Sequence, residues 1–471
     1  MSKILPAVLI GVAWMLATAL AHGLGLSLHC DAGRTWQLLD LPELRDNLAQ
    51  SLWYQHGQPP GFNLLVGLFL KAGAEVDGLA LHVFFDLLGL LAGLLTGQVA
   101  LQLGARPMLA AAAGALLVIT PGFALYQHWM LYDLPVTVAI LACALAVLAA
   151  VQHPTWLRMA VLVVTCAGLM WMRSVFHLVW MAGMALAVLV PRDAQLLPRR
   201  RIAQAMVLAL LLGALPFAKN ASLFGRFEAS TWAGMSAERL THQFIPLVQR
   251  QRMAALGQID PVSVVGPYQP LDAYPTQMVD WSLWRGIAVL EHPTKRDGHP
   301  NFNHVAYLPI SQTMLRDAVT LVRAHPQAYA QAHLSAWLHW LRPASVHPNL
   351  AQGRQLLRPW LEPWNRLALV EVAQVHLLLV FGALLAMVLL LAMARTRTAV
   401  AAGLPPPARA MLRALAWTAL WITLLGNTLE HGENYRFRAY LDPVFLAVLA
   451  AAVSQLLAPR PVMPRTPLKQ R

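Results

Sequence analysis

Acids and cations recur in this chain beside apolar runs, in positions suited to holding an anionic head group. Residues 31–63 carry Asp31, Asp40, Glu43 and Asp46, followed by His56-Gly57-Gln58-Pro59-Pro60 and Asn63. Pro42 is placed to open a helix, which puts Glu43 and Asp46 one turn apart on one face. The paired prolines that follow end one helix and start another in a fixed geometry. Further along, Tyr132-Asp133 precedes Leu134-Pro135, Arg173 lies between two apolar segments, and Lys219-Asn220 closes another. Glu430, Glu433, Arg436 and Arg438 then cluster before the last apolar run. Any one of these has a plain alternative: surface acids on an amphipathic helix, an arginine anchoring a helix end, or Glu433 pairing with Arg436 or Arg438. Several cations beside acids suit an anionic ligand better than simple anchoring.

The elements that must position these groups are membrane helices. Of 471 residues, 58% are hydrophobic and 12% charged, and mean hydropathy is +0.52. A soluble domain of this length needs a far more charged surface. Apolar runs at 4–26, 79–103, 108–125, 134–151, 202–217, 369–393 and 441–457 approach or exceed the length that crosses roughly 30 Å of hydrocarbon. Segments 156–172, 176–190 and 411–425 complete a path of about ten crossings. The piece 61–74 is too short to span and reads as re-entrant or interfacial. Ala19-Leu20-Ala21 has the form of a signal-peptidase site, but the apolar run continues past it and reads as a span.

The net charge of +13 does not form a nucleic-acid patch. Fifteen basic residues occupy short clusters (Lys3, Arg106, Arg158, Arg192, Arg199–Arg201, Arg395, Arg397, Arg409, Arg413, Arg460, Arg465, Lys469, Arg471) with one acid, Asp193. The rest of the chain balances at twenty basic against twenty-one acidic residues, from totals of 35 and 22. This is the positive-inside bias, and it places those clusters in the cytoplasm. The acids and cations listed first then face the other side. Three cysteines, Cys30, Cys143 and Cys166, have no disulfide or metal-ligand spacing. The Ala-, Leu- and Arg-rich composition suggests a bacterium and hence an inner membrane.

The expected organisation is an all-α polytopic membrane protein. An N-terminal transmembrane module covers 1–218 with its first outer loop at 27–78. An extracytoplasmic helical segment covers 219–367, with a helix over 311–341 interrupted near His325-Pro326. C-terminal transmembrane helices cover 368–458, and a basic cytoplasmic tail covers 459–471.

In order and sidedness these motifs resemble the GT-C class of membrane glycosyltransferases. That class includes protein O-mannosyltransferases, the aminoarabinose transferase acting on lipid A and the bacterial RgtA/B/C/D-like group. His56-Gly57-Gln58-Pro59-Pro60-Gly61 is similar to the His-Pro-Pro-Leu opening of the class's second helix, with two residues between His and the prolines. Tyr132-Asp133-Leu134-Pro135 is similar to the acid-bearing start of a later helix. Arg436-Phe437-Arg438-Ala439-Tyr440-Leu441-Asp442-Pro443 is similar to the Arg-Tyr–Pro segment opening the last. The likeness covers roughly 1–220 and 368–458, best of all in the membrane portion.

The resemblance implies sugar transfer from a polyprenyl-phosphate carrier to an acceptor glycan, lipid or protein on the periplasmic face. Such transfer needs a carboxylate to deprotonate the acceptor hydroxyl and cations for the departing phosphate. Asp40 is the expected base, with Asp31, Glu43 and Asp46 in reserve. Arg173, Lys219, Arg436 and Arg438 are the expected phosphate ligands, and His56, Gln58, Tyr132, Asp133 and Glu433 the sugar- or cleft-side set. The resemblance implies no metal and no cofactor. Two other readings stay open: a lipid-linked polysaccharide polymerase or O-antigen ligase, and a transporter or lipid flippase. The latter usually carries charges near the bilayer midplane, whereas Asp86 and Glu371 fall near helix ends.

Overall fold

A computed structural model describes residues 4–29, 37–191, 197–275, 284–367, 381–386, 388, 389, 392 and 403–457. Asp31, Cys30, the Arg395/Arg397 cluster, the basic tail and most of the expected span 369–393 lie outside the described residues. Those described are helical and form no strand, only two isolated bridges. The helices of the first half are α1 (Leu5–Gly23), α2 (Leu41–Asp46), α3 (Leu48–Tyr54), α4 (Gly61–Lys71), α5 (Leu79–Gln102), α6 (Pro107–Val118), α7 (Pro121–Gln127), α8 (Asp133–Gln152), α9 (Trp156–Met172), α10 (Leu178–Leu189), α11 (Arg199–Gly213) and α12 (Leu215–Phe224).

Among the described residues, five helices are long and apolar enough to cross a membrane: α1, α5, α8, the continuous α11–α12 stretch Arg199–Phe224, and Pro406–Leu429. A sixth is added if α6 and α7 count as one span. The expected unbroken run 108–125 is in fact bent by 63°. Pro121 follows an extended Thr120 and has no N–H to continue the ladder, so the chain turns there. The helices α9, α10 and Asp442–Leu456 are apolar but shorter, as is α4 with its 11 residues.

Burial separates lipid-facing helices from the central one. Only 22% of the apolar window of α1 is buried, against 78% for α8. Val8, Val12, Met15 and Leu16 on α1 are exposed, as are Val83, Leu87 and Leu91 on α5 and Val207, Leu208 and Leu211 on α11. Such contiguous apolar exposure is what a lipid-facing surface carries and a water-facing one avoids. The helix α8 packs against α5, α9 and Pro406–Leu429. The α5–α6 contact is close because Gly114 has no side chain; a Cβ there would lie 2.5 Å from the Gly93 carbonyl oxygen.

Arg106, Arg158, Arg201 and Arg413 of the expected cytoplasmic clusters meet backbone carbonyls at or near helix C-termini. Arg106 donates to the Leu457 carbonyl (2.6 Å), Arg201 to Pro154 (3.1 Å), Arg413 to Ala187 (2.9 Å) and Arg158 to Ala149 (3.4 Å). Cations there satisfy orphan carbonyls and oppose the negative helix end. Asp133, Arg173 and Glu430 stand at the opposite ends of α8, α9 and Pro406–Leu429, where Arg239 of the segment 219–367 reaches Glu430. That segment's main helices, Tyr307–Ala324 and Pro326–Leu341, break at His325 as the sequence leads one to expect. They enclose Ala233–His242, which also packs on Pro406–Leu429.

Candidate functional site

Asp133 opens α8, and the short helix Asn434–Ala439 precedes the last apolar helix. Arg436 reaches across 303 positions to grip Asp133 with two donors, Nη2 to Oδ2 at 2.9 Å and Nε to Oδ1 at 3.3 Å. Its Nη1 donates to Glu433. The Asp133 and Arg436 side chains are only 3% and 2% exposed, so this is a desolvated, two-pronged ion pair. The Arg436 guanidinium also lies 5.0 Å from the Trp129 ring and 5.6 Å from that of Tyr132.

Arg173 is bound differently. It sits in extended backbone between α9 and α10, over the rings of Phe437 (4.5 Å), Tyr132 (4.7 Å) and Tyr440 (5.2 Å). Its Nη1 donates to the Tyr440 hydroxyl, and the Asp133 carboxylate is 3.9 Å away. Ring faces attract a guanidinium without neutralising it. Arg239, from Ala233–His242, extends the network: its Nη1 lies 3.1 Å from Glu430 and 4.0 Å from Glu433.

Of these groups, Tyr132, Arg173, Arg239, Glu430, Glu433 and Phe437 line a cavity of about 470 Å³. Gln37 and Gln58 of the first loop, Tyr132, Arg173, Arg239, Glu430 and Glu433 line its polar side. Trp421, Leu425 and Leu429 of the long helix Pro406–Leu429, with Val175 and Phe437, line the apolar side. The two acids on the wall are tuned apart. Burial pushes the Glu430 carboxyl up to about 7 against the pull of Arg239. Burial would raise Glu433 as well, but Arg436 and Arg239 outweigh it and hold that carboxyl at about 2. Burial therefore favours the protonated form of Glu430, while the two arginines favour the ionised form of Glu433.

The structure thus brings Gln58, Tyr132, Asp133, Arg173, Glu433 and Arg436 together from four separate loops. It places Asp40, Glu43, His56, Lys219 and Arg438 outside that cavity's lining, while Asp31 lies outside the described residues. Asp40 lies 3.7 Å from Arg296 and Glu43 3.1 Å, and neither lines the cavity, although Gln37 three residues earlier does. Burial raises the Asp40 carboxyl, with Arg296 opposing. His56 is fully buried, its Nδ1 2.7 Å from the Thr231 hydroxyl while its backbone N–H donates to Asn303 (2.7 Å). That burial, with Lys219 nearby, lowers it to about 3, so it is a neutral packing group at any ordinary pH. Lys219 donates to the Gln55 and Leu52 carbonyls at the end of α3. Arg438 is buried 3.5 Å from Asp442 and lines a separate cleft with Asp133 and Trp364.

Arg239, Glu430 and Trp129 join the network without having been among the expected site residues. Glu430 stands in the same acid-and-arginine run as Glu433 and was within reach of sequence reasoning. Arg239 lies in a segment with no motif, and only folding brings it to residue 430. No protein-family model, no curated protein and no solved structure matches the chain.

Proposed function

We propose that the chain is a membrane glycosyltransferase that moves a sugar from a polyprenyl-phosphate carrier to an acceptor, using the cavity between the first loop and residues 421–437. The observation that carries this reading is one cavity lined both by arginines and carboxylates and by Trp421, Leu425 and Leu429 from one face of an apolar helix. A lipid phosphate needs both at once: cations for the phosphate and an apolar flank for the isoprenoid chain. Arg173 and Arg239 face the cavity and are the phosphate ligands of the proposal. Arg436, sequestered by Asp133 and Glu433, holds the wall in shape.

A carboxylate must accept the acceptor hydroxyl's proton, and an acid titrating near the working pH serves best. Glu430 is on the wall and has that property. Asp40, the first-loop carboxylate, is the competing base. In the membrane, the proposal has about ten crossings in a bacterial inner membrane, the three shorter apolar helices included. The arginine-closed end lies in the cytoplasm by the positive-inside bias, and the cavity opens on the periplasmic side.

The test is transfer of labelled sugar from polyprenyl-phosphate donors in membranes containing wild type, Arg173→Gln, Glu430→Gln or Asp40→Asn. Loss of transfer with Arg173→Gln and Glu430→Gln, but not with Asp40→Asn, supports the cavity as drawn. Loss with Asp40→Asn alone returns the base to the first loop. Wild-type membranes that turn over no such donor, yet alter solute or lipid movement, would replace transfer by transport.

A further inference from the structure

A second constellation lies outside the cavity, where α1, α5 and the end of α7 meet. His82 and Asp86 stand one turn apart on α5, His22 is in the last turn of α1, and His128 directly follows α7. Nε2 of His22 is 3.3 Å from Asp86 Oδ2, Nε2 of His128 is 3.5 Å from Oδ1, and Nε2 of His82 is 3.9 Å from Oδ2. All four ligand atoms fall within 4.8 Å of one another. Bonds of roughly 2.0–2.1 Å to a tetrahedral zinc ion set neighbouring ligands roughly 3.3 Å apart. The His22 and His128 spacings are near that value, each to a different oxygen of Asp86, and the His82 spacing is longer.

The surroundings orient these rings as ligands. His128 Nδ1 is 2.8 Å from the Ala124 carbonyl and His22 Nδ1 is 3.1 Å from the Leu26 carbonyl. A carbonyl only accepts, so Nδ1 carries a hydrogen in both rings, which leaves Nε2 as the atom that faces Asp86 and can ligate a cation. Gln127 donates to Asp86 Oδ1 at 2.7 Å and fixes the carboxylate. The His128 side chain is 1% exposed, and its Nε2 has no hydrogen-bond partner, nor does Nε2 of His82. An imidazole tied by Nδ1 to a carbonyl, with a carboxylate held by a side-chain amide, is the outer-shell arrangement of metal sites. His22 is 37% exposed, which leaves an approach from outside.

We propose that His22, His82, Asp86 and His128 form a divalent-metal site of the zinc type. Three imidazoles and one carboxylate favour zinc over calcium or magnesium, which prefer all-oxygen ligands. Four protein ligands make the site a closed, structural one. It clamps α1 to α5 and anchors the strand-like stretch that leads to Trp129 and Asp133. That stretch is already tied to the first loop by His29 N–H to the His128 carbonyl (2.7 Å) and Met130 N–H to the His29 carbonyl (2.7 Å). The site is independent of the sugar-transfer reading.

The experiment uses the full-length protein, purified in detergent through a tag without histidine. Elemental analysis after dialysis is expected to find about one zinc per wild-type chain, nearly none in His128→Ala or Asp86→Ala, and full content in the exposed control His153→Ala. Chelation lowers the wild-type thermal midpoint and zinc restores it. Cobalt, loaded in place of zinc, gives the intense visible absorption of a tetrahedral ion. Should His128→Ala not fold, His22→Gln, at the most exposed ligand, gives a weaker cobalt spectrum and faster metal loss. Wild-type protein that takes up neither ion, and whose midpoint ignores the chelator, overturns the site.

Discussion

Asp133→Asn tests the central electrostatic claim. In the wild type, Arg436 has two charge-assisted hydrogen bonds to Asp133 and one to Glu433, with both Asp133 and Arg436 almost wholly out of solvent. The amide removes one negative charge and turns an N–H₂ group or a neutral oxygen toward the guanidinium. Glu433 is left to compensate Arg436 while also facing Arg239. Breaking a buried pair by neutralising one partner costs about 3–5 kcal/mol, against about 5–15 kcal/mol for a whole folded domain. The assay is sodium dodecyl sulfate titration of the detergent-solubilised protein, comparing Asp133→Asn, Arg436→Met and the double variant. The cycle is expected to show a coupling of about 2–3 kcal/mol, because the double variant leaves no unpaired charge at position 133. Single losses below about 1 kcal/mol, or losses that add within about 0.5 kcal/mol, would refute the pair as the element holding α8 to the C-terminal helices.

Arg173→Lys keeps the charge but gives up the planar contact with three rings; the donor KM is expected to rise about tenfold, equivalent to about 1.4 kcal/mol, with kcat little changed. Initial rates against donor concentration check this, and an unchanged KM would remove Arg173 from phosphate binding. Glu238 is fully buried, and that burial, opposed by Arg250, carries it from its ordinary 4.5 to about 8. Between those values the folded protein keeps a proton that the unfolded chain has lost, so stability falls as pH rises through the window. Glu238→Gln should flatten that fall in thermal midpoints recorded across the same range; an unaltered slope would assign the dependence to another group. Gly234 faces the backbone of Ser311, where a Cβ would come within 1.7 Å of the carbonyl oxygen. Gly234→Ala should therefore cost about 1–3 kcal/mol and displace Arg239 from Glu430, read as lowered stability together with weaker donor binding.

Much of the architecture is written locally. Apolar runs and prolines at helix starts depend on neighbours a few positions away, so α1, α5, α8 and α9 fall within a few residues of where hydrophobic spacing puts them. The pause at His325-Pro326, the short α4 and the segregation of arginines to one set of helix ends were legible for the same reason. The bend at Pro121 was not, because a proline in an apolar run is compatible with a kinked span or a broken one until packing decides.

Which of these groups meet was decided only by the tertiary structure. Sequence spacing could not choose among the first-loop acids. Folding brings Arg296 from 256 positions away to Asp40 and leaves Gln37, not Asp40, on the cavity wall. The same holds for Arg436 with Asp133, for Arg239 with Glu430, 191 positions apart, and for the three histidines around Asp86. Charges attract according to distance and dielectric, not order along the chain, so the chain could announce which groups were available but not which of them would meet.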